Sequence, residues 1–465
     1  MQIIITNPGW LVLLFLFLAF FSLILLGCVV FIKPIFRKVM SKITDNFVIR
    51  LLSDKYTQNL MELWPSLQRY SVLNLFENGL RAQNGKIIAR PNGTPKHFHG
   101  FENLMFAPQL MNRFSLQESA QIDMRVTLGP NATKPLTLNI PLMISGMAYG
   151  LALSEEAKRA LARAAKTLQT AICSGEGPFL PEERLEAGKY ILQICRWQWG
   201  ARTNEQIASA DMLEVQMGQG ADMGSSLVEA VELQGRAQEL GGVTPGQPAV
   251  SYPAPPGVVT PEDWPGFMAI LRERANGIPI GLKLMATGHL EEDLAVAVDL
   301  GFDVIILDGS QGGSHATPPI KQDDFGIPSL HALVRAERYL RNTQISLIVS
   351  GGYFTPGQCL KALALGADAV ALATVPLFAL GHNQILKVLP WEPPTTLVYY
   401  DSPTKTQLDI NLAALNVENT LKSMVLEMEE AMRSLAKSSL KELNSDDLVA
   451  LDSITAEITE VKRAY

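Results

Sequence analysis

With 465 residues, 47% of them hydrophobic, and a formal net charge of −7, the chain can bury a large core and is not the composition of a disordered protein. Residues 1–100 carry 11 Lys+Arg against 4 Asp+Glu, and the remainder carries 28 against 42, so a basic head on an acidic body points to a membrane surface and away from nucleic acid. Cys28, Cys173, Cys195 and Cys359 form no CxxC pair, which argues against a zinc ribbon or a cysteine-ligated iron–sulfur centre and fits a reducing compartment.

No charged side chain precedes Lys33, and Trp10–Ile32 is an apolar run of 23 residues. As a helix it measures roughly 34 Å against about 30 Å of hydrocarbon. This predicts an N-terminal transmembrane helix, with residues 1–40 as anchor and basic flank. Lys33, Arg37, Lys38 and Lys42 follow the run directly, and the positive-inside rule then places a single-pass protein with its body on the cytoplasmic side. A cleaved signal peptide fits less well, because a basic n-region is missing and the run is long. Leu25-Leu26-Gly27-Cys28 is a weaker, lipoprotein-like alternative.

Residues 41–140 read as a mixed α/β neck, with helical periodicity over Ile49–Trp64 and Leu67–Leu80 and a turn at Pro91-Asn-Gly93. His97-Phe-His99 sits there without a companion carboxylate or cysteine set, so it reads as a surface turn and no metal site is expected. From Pro141 the texture becomes a repeat of apolar strand, small-residue loop and amphipathic helix. Strands are expected at Pro141–Met147, Thr170–Cys173, Gln193–Trp197, Met212–Met217, Ile280–Met285, Val304–Leu307, Ser346–Val349 and Ala369–Ala373. A helix start is signalled by Ser154 with Glu155 and Glu156 in its first turn. Further helices are expected at Leu290–Leu300, Pro328–Arg341 and Pro356–Leu365. The Pro-rich passage from Ala221 to Asp263 breaks the rhythm, and a loop that long is usually functional. Eight alternating units over residues 141–390 predict an α/β fold, a (β/α)8 TIM barrel, followed by a C-terminal helical extension over 391–465.

In such a barrel the site lies at the C-terminal strand ends. There the strands run into Asp308-Gly309, Gly312-Gly313, Gly351-Gly352 and Thr374, whose backbone N–H groups and hydroxyl can approach an anion, although glycine pairs also serve plain turns. Lys283 stands inside an apolar strand, where a charge is costly unless it meets a ligand or a carboxylate. It suits the edge of a flavin that gathers negative charge on reduction; the structural alternative is an ion pair with Asp308 or Glu214. Glu176, in Ser174-Gly-Glu-Gly177, is a carboxylate for substrate or proton handling, and Gln219 an amide ligand to a ring or substrate.

Several pieces occur in order: Phe101-Glu-Asn-Leu104 with Pro108-Gln109, Ile144-Ser-Gly-Met-Ala-Tyr-Gly150, Ser174-Gly-Glu-Gly177, Gln216-Met-Gly-Gln-Gly-Ala221, Lys283-Leu284, Asp308-Gly-Ser-Gln-Gly-Gly-Ser-His-Ala-Thr-Pro318, Ser350-Gly-Gly352 and Gly366-Ala-Asp368. Together they resemble the FMN-binding domain of the glutamate synthase family, a barrel that makes glutamate from 2-oxoglutarate and ammonia. The resemblance covers about residues 97–382, and Met428-Glu-Glu-Ala-Met-Arg-Ser-Leu435 is similar to that family's C-terminal helices. It implies FMN, with the backbone of Ser145, Gly146, Met147 and Ala148 under the flavin and with Gln219 and Lys283 facing the isoalloxazine. Gly312, Gly313, Gly351, Gly352 and Thr374 would surround the phosphate, with Ser174, Asp308 and Gly309 also at the cofactor. Glu176, Lys283 and Gln219 would be the catalytic set.

The sequence departs from that pattern in places. Leu380-Gly-His-Asn383 lacks the cysteines that carry an iron–sulfur cluster in the large glutamate synthases, so none is expected, and the glutaminase domain is missing. The family's Lys-Pro-Gly-Glu-Gly-Gly loop stands here as Asp222-Met-Gly-Ser-Ser-Leu227, which replaces a cation by like charge for a dicarboxylate. His315 replaces a glycine. The expected activity is FMN-dependent reductive amination of 2-oxoglutarate, served by an electron-donor protein or reductase. The alternatives are a membrane-associated FMN oxidoreductase with another substrate or electron carrier, and a non-catalytic scaffold.

Overall fold

The computed structural model describes residues 8–465, apart from the side chains of Pro8, Trp10, Leu11, Leu25, Leu26, Cys28, Val29, Val30 and Leu60. The chain divides into two compact units, Met1–Ile88 and Ala89–Tyr465. The neck expected over 41–140 straddles that division.

In the first unit a single helix, α1 (Pro8–Ser53), runs for 46 residues with Pro34 inside it. Most of its described large apolar side chains, among them Leu13, Phe15, Phe17 and Leu23, are exposed. The helix expected over Trp10–Ile32 continues well past that run, to Ser53; the membrane crossing is not supported. Among the described residues no helix is long and apolar enough to cross a membrane. Within the run Trp10–Ile32 the side chains of Trp10, Leu11, Leu25, Leu26, Cys28, Val29 and Val30 lie outside the described residues, so the expected crossing falls partly on them. After a short helix at Leu63–Arg69, α2 (Val72–Asn84) begins where the Ser71 side chain accepts from the Asn74 N–H and ends at Gly85, whose φ of 57° is the left-handed cap that glycine accommodates.

The second unit is built on eight parallel strands: β1 (Leu142–Ile144), β2 (Ala171–Cys173), β3 (Lys189–Ile194), β4 (Met212–Gln216), β5 (Ile280–Met285), β6 (Val304–Asp308), β7 (Ser346–Ser350) and β8 (Ala369–Leu372). They close in chain order into a barrel, β8 pairing with β1. The third strand departs from expectation: it begins at Lys189 and stops at Ile194, leaving Arg196 and Trp197 in the loop beyond. Its polar start hid it, while Tyr190, Leu192 and Ile194 alternate onto the face that packs against the helices.

Side-chain alternation sorts every strand. Leu213, Val215, Leu282, Leu284, Ile305 and Leu307 join the layer beneath the helices. Met143, Ala171, Ile191, Met212, Ile306 and Ile348 fill the barrel interior. A hairpin of Val126–Leu128 and Leu136–Leu138 adds Leu128, Leu136 and Leu138 to that interior core. It closes the N-terminal end, where the Gly129 N–H donates to Ser346 Oγ at 3.1 Å. Outside, α3 (Glu155–Thr167) is capped by Ser154, whose Oγ accepts from the Ala157 N–H at 3.2 Å. The 25-residue α4 (Ile410–Ser434) packs on α3. Leu104–Phe106 pairs antiparallel with Leu448–Ala450, joining the segment before the barrel to the C-terminal extension.

Candidate active site

The alternation that fills the lower barrel with apolar side chains turns polar at the C-terminal end. The same faces of β3, β4, β5, β6 and β7 carry Gln193, Glu214, Lys283, Asp308 and Ser350, all buried. Glu214 Oε1 accepts from Gln193 Nε2 at 2.6 Å and from Cys173 Sγ at 3.5 Å. Burial and the neighbouring Glu214 carboxylate push the Cys173 thiol well above its ordinary range, so it remains protonated. Burial opposes the charge of Lys283, but Glu214 and then Asp308 outweigh it, and its pKa lies above the usual lysine value. Its nearest ion-pair partner is Asp308 Oδ2 at 3.9 Å, beyond hydrogen-bond reach. Both readings of Lys283 therefore meet: it is balanced by carboxylates, and its donors are not consumed by them.

Asp308 and Ser350 lie opposite each other across the β6–β7 register. Asp308 Oδ1, Ser350 Oγ and the indole Nε1 of Trp197 in the loop after β3 are buried and meet no partner at full hydrogen-bond geometry, although Ser350 and the Gly220 backbone lie near enough to Asp308, and Trp197 near enough to Glu176, to favour those carboxylates. Buried polar atoms are rarely left in that state unless a ligand completes them. Around them the loops are glycine-lined. A Cβ on Gly351 (φ 98°) would stand 2.7 Å from Gly309 N and 2.9 Å from Asp308 Oδ1, and one on Gly312 would stand 2.6 Å from the same oxygen. Only a chain without side chains approaches so closely. A cavity of about 230 Å³ lies beside these loops, between Gln311, Gly351 and Gly352 on one side and Lys96, His97 and Glu102 on the other; Lys283, Asp308 and Ser350 do not line it. Gln311 Oε1 accepts from the Ser329 N–H at 2.8 Å, tying this loop to the next helix.

Glu176 follows β2. Burial first, and Asp222 second, raise its carboxyl to about 7, against the opposing pull of Arg196. Gln216 Nε2 donates to Glu176 Oε2 at 3.3 Å, and Arg196 Nε donates to Gln216 Oε1 at 3.2 Å. Arg196 also donates to the Gly224 carbonyl at 2.6 Å, which holds the long loop after β4 against the mouth. Trp197 and Trp199 stack at 5.4 Å beside it.

The residues expected at the site are thus largely gathered, though not all in the expected manner. Ser145 and Ala148 are buried just past β1. Ser174 is engaged internally: its Oγ accepts from the Gln193 N–H at 3.0 Å and donates to the Gly175 carbonyl at 3.0 Å. Gln219 stands in a tight turn closed by paired backbone bonds of 3.0 Å with Asp222. Thr374 opens the short helix Thr374–Leu380 after β8. His315 packs its ring 4.1 Å from that of Tyr399. His97 and His99 are exposed, and among the described residues no group of His, Cys, Asp or Glu is arranged to hold a metal. Gln193, Gln216 and Arg196 were missed by sequence reasoning. The signal for the first two was the polar residue at every second position of an apolar strand; for Arg196 the misplaced third strand concealed it.

The set fits FMN. Lys283 supplies a buried cation with unspent donors, Asp308, Ser350 and Trp197 supply buried polar atoms short of full hydrogen-bond geometry, and Gly351 and Gly352, which border the cavity, make no backbone N–H bond of their own to any described residue.

Residues 91–438 match the family model for the conserved region in glutamate synthase. A glutamate synthase large subunit-like protein of Rhizobium meliloti (strain 1021) is 31% identical over 411 residues, covering 82% of this chain and 91% of that relative. An archaeal-type NADPH glutamate synthase of Dehalococcoides mccartyi is 29% identical over 325 residues, covering 68% of this chain and 64% of its own length, so this chain spans a little under two thirds of it. Among solved structures, a mutant flavocytochrome b2 with pyruvate bound superimposes with a TM-score of 0.49 at 16% identity, covering 77% of this chain and 80% of that one.

Proposed function

Because the chain belongs to the glutamate synthase family, as an FMN-dependent oxidoreductase of that type, we propose that it forms glutamate by reductive amination of 2-oxoglutarate with ammonia. The observation that carries this reading is Lys283, a buried cation 3.9 Å from Asp308 at the centre of the barrel mouth. Bound FMN supplies the electron pair. Lys283 stabilises the negative charge that gathers on a reduced isoalloxazine. The N–H groups of Gly309, Ser310 and Gly312 are already donated to carbonyls, so the phosphate would be held by those of Gln311, Gly313, Gly351 and Gly352, with the Thr374 hydroxyl. Glu176, with its carboxyl near 7, exchanges a proton with the substrate at neutral pH, and the stacked Trp197 and Trp199 exclude water from that side.

Electrons come from a separate donor protein or reductase, and no iron–sulfur cluster takes part in this scheme. Support for the latter is that Cys173, Cys195 and Cys359 are buried, free and on different elements; metal and sulfide analysis of the purified protein tests it. We also place the body at the cytoplasmic face of a membrane. The exposed apolar side chains of α1 and the basic residues Lys33, Arg37, Lys38 and Lys42 that follow them favour this location.

The deciding experiment is to purify the full chain with FMN, photoreduce it, and add 2-oxoglutarate with ammonium. Reoxidation of the flavin with stoichiometric glutamate is expected; a reduced flavin indifferent to that pair defeats the proposal. A second reading, an FMN oxidoreductase of another substrate, is favoured by Asp222, which adds negative charge beside Glu176. A panel of other oxo acids and quinone analogues in the same assay separates the two.

A further inference from the structure

Lys158, on α3 outside the barrel, is fully buried, and so is its partner Glu183, with Nζ 2.8 Å from Glu183 Oε1. The same ammonium also donates to the Met147 carbonyl at 2.7 Å and the Ser174 carbonyl at 3.0 Å. Glu183 takes its remaining donor and serves as counter-charge, against a burial that raises the Glu183 carboxyl to about 7. Glu183 Oε2 accepts from the Tyr190 hydroxyl at 3.4 Å. A buried ion pair is an expensive way to fill space, since apolar side chains of similar volume pack at least as well. What apolar side chains cannot do is draw two carbonyls outward.

Those two carbonyls belong to the loops after β1 and β2, the same loops that carry Ser145–Ala148 and Glu176. The loops interlock: Gly175 (φ 70°) approaches so closely that a Cβ there would lie 2.7 Å from Met147 C and 2.8 Å from Ala148 N. In a trans peptide the N–H points opposite to the C=O. With the Met147 carbonyl bound to Lys158, the Ala148 N–H is aimed away from that lysine. Ala148 is 8% exposed, and its N–H donates to no described group. A buried amide in that state awaits an acceptor.

We propose that Lys158, balanced by Glu183, is a positioning residue that aims the Ala148 amide into the barrel mouth and thereby sets how FMN is held and how its ring is polarised. The inference rests on the FMN reading above. It neither requires nor predicts a particular substrate.

The test compares the full chain with Lys158→Met and with the double variant Lys158→Met/Glu183→Met, which leaves no uncompensated buried charge. FMN affinity is read by flavin fluorescence, the ring by its visible absorption bands and midpoint potential, and folding by thermal unfolding. The double variant is expected to unfold at a higher temperature than the single one. Both variants are expected to bind FMN about tenfold more weakly, as the loss of a charge-assisted hydrogen bond implies, with displaced absorption bands. A double variant with the parent's affinity, spectrum and potential overturns the proposal and reduces the pair to packing. If the parent chain itself takes up no FMN, the underlying cofactor reading fails, and that outcome is visible before any variant is made.

Discussion

Lys283 Nζ lies 3.9 Å from Asp308 Oδ2, with 2% and 10% of the two side chains exposed. The separation is close enough for charge to balance charge and too long for a hydrogen bond, so both groups keep capacity for a third party. Replacing the lysine tests both halves of that statement. Lys283→Met should abolish FMN binding. In the cofactor-free protein it should cost about 3 kcal/mol, because Asp308 and Glu214 are left buried without their cation. Urea denaturation measures the second effect and flavin fluorescence titration the first. Retained FMN affinity with lowered stability would assign Lys283 to structure alone.

Glu176 makes the protein sensitive to pH near neutrality. Its folded pKa of about 7 lies above the ordinary value of 4.5, so between those values the folded state binds more protons than the unfolded one. The stability it contributes is complete below 4.5 and is lost as pH rises through about 7. Glu183, which burial also raises to about 7, contributes to the same slope, so Glu176→Gln should reduce rather than abolish it in denaturation midpoints followed from about pH 4 to about pH 8. It should also remove the corresponding limb from the pH–rate profile.

Asp222 is the second cause of that elevated pKa, after burial. Asp222→Asn should therefore lower the Glu176 carboxyl and move the limb to lower pH. Asp222→Lys goes further, returning a cation to the loop after β4, and should improve the KM for 2-oxoglutarate by about tenfold, the worth of one well-placed charge. An unchanged or poorer KM would speak for a substrate that is not a dicarboxylate.

Two glycines should respond in opposite directions to the same change. Gly351→Ala forces a side chain into a φ of 98° and against Gly309 and Asp308, at a cost of about 1–3 kcal/mol, with loss of FMN. Gly357 sits in the helix Pro356–Ala364 with nothing within 4 Å of its would-be Cβ, so Gly357→Ala should stabilise by up to about 1 kcal/mol and leave the flavin untouched. Thermal unfolding with and without FMN checks both.

Because α1 exposes Leu13, Phe15, Phe17 and Leu23, the full chain should sediment with membranes, and resistance to alkaline carbonate washing would show that it is embedded. Release by carbonate or salt would show a peripheral association held by Lys33, Arg37, Lys38 and Lys42.

The barrel was legible in the sequence because each of its units is a local pattern. An apolar strand such as Ile280–Met285 ends in a small-residue loop and is followed by a helix with its own cap, and all of this lies within a few tens of residues. Lys283 stood out for the same reason, as one charge in an apolar run, and the pairs Gly312-Gly313 and Gly351-Gly352 marked where backbone must come close. The third strand was misplaced where the local signal was weak: Lys189 opens it, and the apolar residues after Gln193 belong partly to a loop. What only the tertiary structure decided are the partnerships. Glu214 meets Gln193 at 2.6 Å only because β3 and β4 pair in one register. Arg196 reaches Gln216 and Gly224 because the loop after β4 folds back over the mouth. Lys158 reads from sequence as an ordinary charge on an amphipathic helix, and becomes a buried tether only when α3 is laid against two loops by closure of the barrel. Sequence periodicity specifies which face of an element is apolar; the energy of a buried charge depends on what the whole fold brings to within a few ångströms of it.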